Sequence, residues 1–230
     1  SNLPSAASLV EVPCPVCGSG HSRPMFQTRD FVFRCTEAIF TVRRCSDCGC
    51  GYVSPRPRKD DMRSYYPDSF YWSWEGSSGQ LDWSAIIEKR RTQLEAKSRW
   101  LADMKPGRLI DVGAQKGEFI WYMRNLGWQA EGVELDAAVP NPANMPIHYG
   151  DFLQLDFEEG AYDCITFWAV LEHVYEPSRF IERAVTLLRP GGRLVALVTN
   201  LNSIQARFWQ ADDYPRHLTI FTTTAVQRLC

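Results

Sequence analysis

The sequence predicts an α/β protein in which a doubly wound, mainly parallel sheet follows a small metal-binding domain. Short apolar segments alternate with helical segments between residues 108 and 199. A glycine-bearing turn follows the first of these segments, and two Cys-x-x-Cys-Gly sequences lie before residue 50. Strands that alternate with helices favour a parallel sheet, because each helical crossover returns the chain to the same edge.

Composition excludes several classes of protein. The chain has 230 residues, 45% of them hydrophobic, and its 25 Lys and Arg against 27 Asp and Glu give a formal charge of −2. These values are typical of a globular protein, and the near-zero charge argues against one that coats nucleic acid. The sequence shows neither a secretory leader nor an apolar run of the roughly 18 residues that span a bilayer. We therefore expect a cytoplasmic protein without a membrane partner.

Four of the eight cysteines form two pairs with the spacing of a zinc ribbon. The pairs are Cys14 with Cys17 and Cys45 with Cys48, each followed by a glycine that accommodates a tight turn. Four thiolates form the closed tetrahedral set that a structural Zn²⁺ prefers, so the ion would stabilise a small domain rather than catalyse. Redox-active pairs or two disulfides would use the same residues. Cys35 and Cys50 do not fit the pattern, and we predict that they are free thiols, with Cys50 as an alternative substitute ligand.

Three segments are predicted along the chain. Residues 1–60 form the ribbon, with hairpin strands over 31–33 and 38–42. Residues 61–106 form an aromatic-rich helical connector or lid, and residues 107–230 form the α/β domain. The connector contains a helix over 82–104. Its aromatic residues could cover a site or could simply pack between domains, and they are Tyr65, Tyr66, Phe70, Tyr71, Trp72, Trp74 and Trp83.

The α/β domain contains five predicted strands and two predicted helices. The glycines of the turn after the first strand are Gly113 and Gly117, and they allow the backbone to approach a ligand closely. Glu134 ends the second strand 21 residues after Gly113, where an acid can accept hydrogen bonds from ribose hydroxyls. Asp151 follows the third strand. The strands are 108–112, 129–133, 147–149, 162–167 and 193–199, and the helices are 118–126 and 178–188.

Residues 108–220 resemble class I S-adenosylmethionine-dependent methyltransferases. The run Asp111-Val-Gly113-Ala-Gln115-Lys-Gly117 matches the first motif of that family except that Gln115 replaces the middle glycine. The resemblance implies a Rossmann-like sheet, usually completed by two further strands that this sequence lacks. A nicotinamide site is disfavoured, because its Gly-x-Gly-x-x-Gly spacing is absent from this turn.

The resemblance also implies the residues that bind the donor. Glu134 would bind the ribose, Asp151 the adenine amine with Phe152 beside the ring, and Gln115 would line the methionine moiety. Trp168 would form a wall of the donor site or fill the core. The complete set of implied S-adenosylmethionine-binding residues is Asp111, Gly113, Ala114, Gln115, Gly117, Glu134, Leu135, Asp151, Phe152 and Trp168.

The chain resembles one bacterial subgroup of these enzymes in particular. Members carry an N-terminal zinc ribbon, a Pro-Arg-Pro run as at 55–57, a Tyr-Tyr pair as at 65–66, and a Pro-Arg-His run as at 215–217. Methyl transfer from a sulfonium is an in-line displacement, so the enzyme mainly aligns the reactants. A base is needed only where the acceptor must lose a proton. His173 and His217 are the catalytic candidates, although each could instead be a structural or solvent-exposed residue.

Three functions remain open at this level. The first is methylation of a small-molecule, sugar or natural-product acceptor. The second is methylation of an RNA base, with the ribbon docking the RNA through a basic surface that includes Arg43, Arg44, Arg56 and Arg58. The third is a non-catalytic interaction protein that uses the ribbon. The near-neutral charge favours the first, and the sequence does not predict an oligomeric state.

Overall fold

A computed structural model of the chain describes residues 9–67, 82–203 and 213–229. These residues form two compact units, and neither is continuous in sequence. The first unit contains the described residues of 9–67, 169–181, 198–203 and 213–229, and the second contains 82–168 and 182–197. The functional division into ribbon, connector and donor-binding domain stays a prediction.

Most of the helices and strands that the sequence predicts are observed at or near their predicted positions. The predicted helix 118–126 is observed at Glu118–Asn125, and the predicted strand 129–133 extends by one residue to Glu134. The strands are β1 Leu9–Val10, β2 Ser22–Thr28, β3 Phe40–Cys45, β4 Gly51–Val53, β5 Arg56–Pro57, β6 Arg108–Val112, β7 Gln129–Glu134, β8 Ile147–Tyr149, β9 Tyr162–Trp168, β10 Leu188–Leu197 and β11 Thr219–Ile220. The α-helices are α1 Trp83–Ser98, α2 Glu118–Asn125, α3 Pro177–Leu187 and α4 Thr223–Gln227, with 3₁₀ turns at Lys59–Tyr65 and Arg99–Leu101.

The second unit is built on a five-stranded parallel sheet, which confirms the predicted α/β class. Its strand order is β10-β9-β6-β7-β8. The sheet therefore begins at its central strand β6, adds β7 and β8 on one side, and then adds β9 and β10 on the other side. The first turn of the domain and the ends of its neighbouring strands therefore lie at the same edge, where ligands bind in open α/β sheets. The register of β10 shifts between Leu188 and Arg193, in the stretch where the sequence predicts a turn.

Helices α1 and α2 contribute apolar side chains to the core of this unit. Asp82 begins α1 by accepting hydrogen bonds from the N–H groups of Ser84 and Ala85, which satisfies two donors at the helix start. The helix ends at Ser98, earlier than predicted, and continues as a 3₁₀ turn. The buried cluster contains Ile87, Leu94, Leu101, Leu109, Phe119, Ile120 and Met123.

The first unit contains a four-stranded antiparallel sheet with the order β11-β4-β3-β2. A hairpin is present in the ribbon segment, and it joins β2 to β3. The prediction of a strand over residues 31–33 is wrong. Asp30 accepts hydrogen bonds from the N–H groups of Phe33 and Cys35, so these donors face a carboxylate rather than a neighbouring strand. Phe31 is also 53% exposed, unlike a strand residue of a core. Predicted strand 38–42 begins at Phe40 and extends to Cys45.

Residues from the end of the chain complete this sheet. Strand β11 pairs antiparallel with β4, with Thr219 opposite Tyr52 and Ile220 opposite Gly51. Arg216, which precedes β11 and is fully buried, binds both carboxylate oxygens of Asp30 at 2.8 and 3.2 Å. The ribbon segment and residues from the other end of the chain therefore share one sheet and one buried ion pair.

Part of the aromatic connector lies outside the described residues. The affected positions are 68–81, which include Phe70, Tyr71, Trp72 and Trp74. Of the others, Tyr65 is buried and packs edge-on against Phe40 in the first unit. No helix in the described ranges combines the length and apolar character that a bilayer crossing requires.

Candidate functional site

The turn between β6 and α2 has a left-handed backbone at both of its glycines. Gly113 and Gly117 have φ values of +75° and +88°, and Gln115 between them has φ of +49°. A side chain in this conformation costs about 1–2 kcal/mol, because its Cβ crowds the following carbonyl. The N–H groups of Gly113 and Ala114 both donate to the carbonyl oxygen of Val133, at 2.8 and 3.0 Å. The turn is thus fixed to the end of β7.

Glu134 joins the turn to the end of β7 through its carboxylate. Its Oε2 accepts a hydrogen bond from Gln115 N–H at 2.9 Å, and its Oε1 accepts from Leu135 N–H at 2.8 Å and Asp136 N–H at 3.4 Å. Burial raises the pKa of Glu134 above its ordinary value, although these N–H groups favour the ionised form. Leu135 beside it is 70% exposed, which leaves an apolar side chain open at the predicted ribose position.

Asp111, the first acid of the motif, lies beneath the turn. It is buried and accepts a 2.6 Å hydrogen bond from the hydroxyl of Thr166 on β9. Burial raises its pKa to about 7, and the positive charge of Lys97 opposes this effect. The side chain is therefore bonded between two strands inside the sheet, and its predicted part in donor binding stays a prediction.

Lys97 is a residue that the sequence analysis missed. Its amino group lies 5.7 Å from the ring centre of Phe119 and 5.2 Å from that of Trp168. Burial lowers its pKa, and the nearby Asp111 and Glu118 counteract the shift. A lysine on the apolar side of a helix is the sequence feature that could have indicated it. The rings of Phe119 and Trp168 pack edge to face, with their centres 5.2 Å apart.

Trp168 is held by these contacts while its indole N–H lacks a hydrogen-bond partner among the described residues. A buried donor without a partner costs free energy, so such a group fits a site where a ligand supplies the acceptor. Trp168 also packs against the buried cluster of this unit, so both expected roles, a wall of the donor site or a core residue, stay predictions.

Asp151 and Phe152 follow β8, at the same edge as Glu134. Asp151 Oδ1 accepts a 3.0 Å hydrogen bond from Leu153 N–H, which fixes the loop. Phe152 is buried against Phe167 and Phe157, with ring centres 5.9 and 6.5 Å apart. The structure thus gives Phe152 a packing role, and its predicted place beside an adenine ring stays a prediction.

The four paired cysteines converge in the first unit. Their sulfur atoms all lie within 4.8 Å of one another. Cys14 Sγ is 3.5 Å from Cys48 Sγ, and Cys17 Sγ is 3.6 Å from Cys45 Sγ. Zn–S bonds of about 2.3 Å in a tetrahedron place sulfurs about 3.8 Å apart, so the cluster fits a zinc ion after small adjustments. The N–H of Asp47 donates to Cys45 Sγ, as is usual around a thiolate.

Cys50 is a fifth thiol at this cluster, where the sequence predicts a free one. Its Sγ lies 3.4 Å from that of Cys14 and 3.5 Å from that of Cys48. Hydrogen bonding with Cys50, together with backbone N–H groups, lowers the pKa of Cys14 to about 5. Cys50 is therefore close enough to replace a neighbouring ligand. Cys35 lies elsewhere, with its thiol directed at the carbonyl oxygen of Tyr65.

The two catalytic candidates, His173 and His217, lie together in the first unit. Their ring centres are 4.5 Å apart at an angle of 72°. Nδ1 of His173 lies 3.2 Å from the carbonyl oxygen of Arg216 and 3.3 Å from the hydroxyl of Tyr66. Asp213 completes a group whose possible ligand atoms lie within 4.8 Å of one another. The structure brings together these residues, which are separate in sequence.

A parallel sheet with a left-handed turn, and with acids at the ends of adjacent strands, defines a Rossmann-like protein with a candidate site for a ribose-bearing cofactor. Residues 86–230, which are more than half of the chain, match the family model described as "Methyltransferase domain". The chain belongs to this methyltransferase family.

Curated relatives agree with this family. The ubiquinone biosynthesis O-methyltransferase of Xanthomonas oryzae pv. oryzae is 26% identical over 148 residues, which cover 59% of this chain and 58% of that protein. The protein of the same name from Burkholderia thailandensis is 30% identical over 110 residues, which cover 42% of this chain and 47% of that protein. This chain therefore spans less than two thirds of the length of these relatives.

Solved structures of methyltransferases share the fold. One from Archaeoglobus fulgidus, described as dependent on S-adenosylmethionine, has a TM-score of 0.55 and 15% identity, covering 64% of this chain and 72% of that one. Magnesium protoporphyrin IX methyltransferase from Synechocystis PCC 6803 was solved with bound S-adenosylhomocysteine. It has a TM-score of 0.54 and 17% identity, and the match covers 75% of this chain and 87% of that one. At these identities the likeness concerns the fold alone.

Proposed function

We propose that the chain catalyses methyl transfer from S-adenosylmethionine to a small-molecule acceptor such as a sugar or natural-product intermediate. The observation that carries this proposal is the Glu134 carboxylate, held at the end of β7 by the N–H of Gln115 and adjoined by the exposed Leu135. This geometry offers carboxylate oxygens to ribose hydroxyls and an apolar surface to adenine. Family membership favours this donor over a dinucleotide.

The donor site that we propose lies within the second unit. Glu134 would bind the ribose, Asp151 the adenine amine, and the turn the methionine moiety. Asp111 acts from beneath, because it is buried and bonded to Thr166. The residues assigned to the site are Asp111, Gly113, Ala114, Gln115, Gly117, Glu134, Leu135, Asp151, Phe152 and Trp168.

The protein's contribution to the reaction is alignment. The bound donor supplies an already activated methyl group, so the site needs to hold the acceptor atom in line with the methyl carbon and sulfur. His173 and His217 are the proposed groups that hold or remove an acceptor proton where one must leave. His173 Nδ1 is occupied by the carbonyl of Arg216, which orients the ring and directs Nε2 away from that carbonyl.

The relatives favour a small acceptor over RNA. Two of them are named for ubiquinone biosynthesis, and one structural neighbour is named for magnesium protoporphyrin IX, all of which are small molecules. For the first unit we propose a structural Zn²⁺ held by Cys14, Cys17, Cys45 and Cys48, as in the zinc-ribbon subgroup. The convergence of the four sulfur atoms supports it.

Calorimetry with S-adenosylhomocysteine tests the donor assignment. We expect saturable binding with one site per chain and no binding of NAD under the same conditions. Failure to bind S-adenosylhomocysteine or S-adenosylmethionine at millimolar concentration would reject the proposed activity.

Metal analysis of the purified protein tests the ribbon. We expect at least one equivalent of zinc, reduced by Cys45→Ser and retained in Cys35→Ser, which removes a thiol outside the cluster. Zinc far below one equivalent in the unaltered protein would contradict the ribbon assignment.

A further inference from the structure

A second group of possible metal ligands lies in the first unit, apart from the cysteine cluster. His173, Asp213 and His217 come from two segments about 40 residues apart in sequence, and their candidate ligand atoms lie within 4.8 Å of one another. All three are partly exposed, so a small ion can reach them. Two imidazoles and one carboxylate form a ligand set that binds first-row divalent metals and leaves coordination positions open.

The orientation of His173 suits a metal ligand. Its Nδ1 lies 3.2 Å from the carbonyl oxygen of Arg216, and a carbonyl oxygen can only accept a hydrogen bond. In the tautomer in which Nδ1 donates to this carbonyl, with the Tyr66 hydroxyl 3.3 Å away as its other neighbour, Nε2 carries the lone pair. Histidines that bind metals commonly donate their other ring N–H to a backbone carbonyl in this way, which fixes the tautomer and the ring.

The surrounding charges favour a cation. The guanidinium of Arg216 binds Asp30 and also Asp213, whose Oδ1 lies 2.7 Å from Arg216 Nε. Asp213 thus adds a second carboxylate beside this guanidinium, and a carboxylate attracts a cation. A carboxylate has two oxygens with about four lone-pair sites, so Asp213 can bind a metal while it remains bonded to Arg216.

Arg216 supports the group in a second way. It is fully buried, and its guanidinium also donates to the carbonyl oxygen of Tyr65 at 2.8 Å. The residue that orients His173 through its carbonyl thus fixes Asp213 through its side chain, and His217 is its neighbour in sequence. Such supporting hydrogen bonds are typical of metal sites in which the ligands are held before the ion binds.

We propose that His173, Asp213 and His217 bind a divalent transition-metal ion such as Zn²⁺, Co²⁺ or Mn²⁺. Methyl transfer from a sulfonium does not itself require this ion. Binding of the ion by the two imidazoles would compete with the acceptor-proton role proposed above for His173 and His217, because one ring nitrogen cannot hold a metal and a proton together.

Metal titration separates the two sites. Protein freed of metal first receives one equivalent of Cd²⁺, because soft thiolates prefer this ion. Co²⁺ is then titrated in, and bound metal is measured by elemental analysis while the cobalt absorption bands report nitrogen and oxygen ligands. We expect one further equivalent in the unaltered protein. His173→Ala and His217→Ala should each weaken its binding at least tenfold.

A matched control is His148→Ala, which removes a histidine from strand β8 of the other unit and should leave the second equivalent unchanged. Absence of a second equivalent in the unaltered protein overturns the proposal, as does cobalt binding of unaltered strength in a folded His173→Ala variant. If the unaltered protein binds no second equivalent, the two histidines only pack edge to face and hold no metal. Binding of S-adenosylhomocysteine, measured by calorimetry, tests the proposed methyl transfer separately, so the two failures are distinguishable.

Discussion

The backbone N–H of Gln115 donates a 2.9 Å hydrogen bond to Oε2 of Glu134. The carboxylate proposed to bind the donor's ribose therefore also holds the turn that is proposed to bind its methionine moiety. Two parts of the site that are 19 residues apart in sequence share one side chain. A substitution at Glu134 should therefore remove both the proposed ribose contact and one of the hydrogen bonds that hold the turn.

Glu134→Ala should weaken binding of S-adenosylhomocysteine at least tenfold. Hydrogen bonds to a charged group are worth about 1.5–3 kcal/mol each, and the variant loses those to the ribose. Glu134→Gln keeps an acceptor for Gln115 and should show a smaller loss. Calorimetry measures both, with Glu158→Ala as a control, because Glu158 is an exposed acid paired with Arg108. Equal affinity in Glu134→Ala and the unaltered protein would contradict the ribose assignment.

Gly132 allows helix α2 and the turn to approach strand β7. A Cβ at this position would lie 2.4 Å from Cδ1 of Ile120 and 2.5 Å from Cβ of Ala114. Gly132→Ala should therefore lower the free energy of unfolding by about 1–3 kcal/mol, as overpacking does in cores. Urea denaturation measures it. Gly20→Ala, where the added Cβ meets no atom within 4 Å, is the control and should change stability little.

The Asp30–Arg216 pair should stabilise the first unit strongly. Both side chains are fully buried, and loss of one partner from a buried pair costs about 3–5 kcal/mol, because the other charge keeps its desolvation cost. Asp30→Asn should lower the free energy of unfolding by somewhat less than this amount, because Arg216 keeps its contact with Asp213. Asp103→Asn breaks the exposed pair with Arg193 and should cost less than about 1 kcal/mol. Similar effects of both variants would contradict the buried pair's importance.

Acid should weaken the same pair. Burial alone would raise the pKa of Asp30, but the Arg216 guanidinium and two backbone N–H groups hold it below its ordinary value. A lowered pKa means that the stabilisation is present above the ordinary pKa and is lost as pH falls through the lowered one. Denaturation below pH 4 should show this loss in the unaltered protein and less of it in Asp30→Asn.

Asp111 should have the opposite pH dependence. Its folded-state pKa of about 7 lies above the ordinary value of 3.8, so the protonated form is favoured in the folded protein. Stability should fall as pH rises from about 4 to about 7, by at most roughly 1 kcal/mol per pH unit. Asp111→Asn should remove this dependence in urea denaturation between these pH values. An unchanged slope would show that Asp111 ionises normally.

The sequence predicts the parallel sheet well because each of its elements has a local pattern. Strand β6 is a short apolar segment, helix α2 has one apolar face, and strand β7 intersperses polar and buried residues. The turn between β6 and α2 depends on its own residues. The acids Glu134 and Asp151 follow from the same reasoning, since they end strands. These features need no knowledge of distant contacts.

The first unit is less predictable, because its decisive contacts are distant in sequence. The turn at 31–33 is stabilised by Asp30, whose partner Arg216 lies 186 residues further along the chain. No local pattern distinguishes this turn from a strand with apolar residues. The position of Cys50 is also hard to predict from local sequence, since its contact with Cys14 depends on how two segments pack. Lys97 was missed because a lysine in a helix is usually solvent-exposed.

Strand β11 has a consequence for the order in which the protein is made. It pairs with β4, about 170 residues earlier, so the ribosome releases the first strands of this sheet long before their edge partner exists. Until residue 216 is synthesised, Asp30 lacks its guanidinium and β4 exposes an unpaired edge. A nascent chain that stops before residue 216 should therefore lack the buried ion pair and the β11 edge even with zinc bound, and the first unit should become fully protease-resistant only after β11 has emerged.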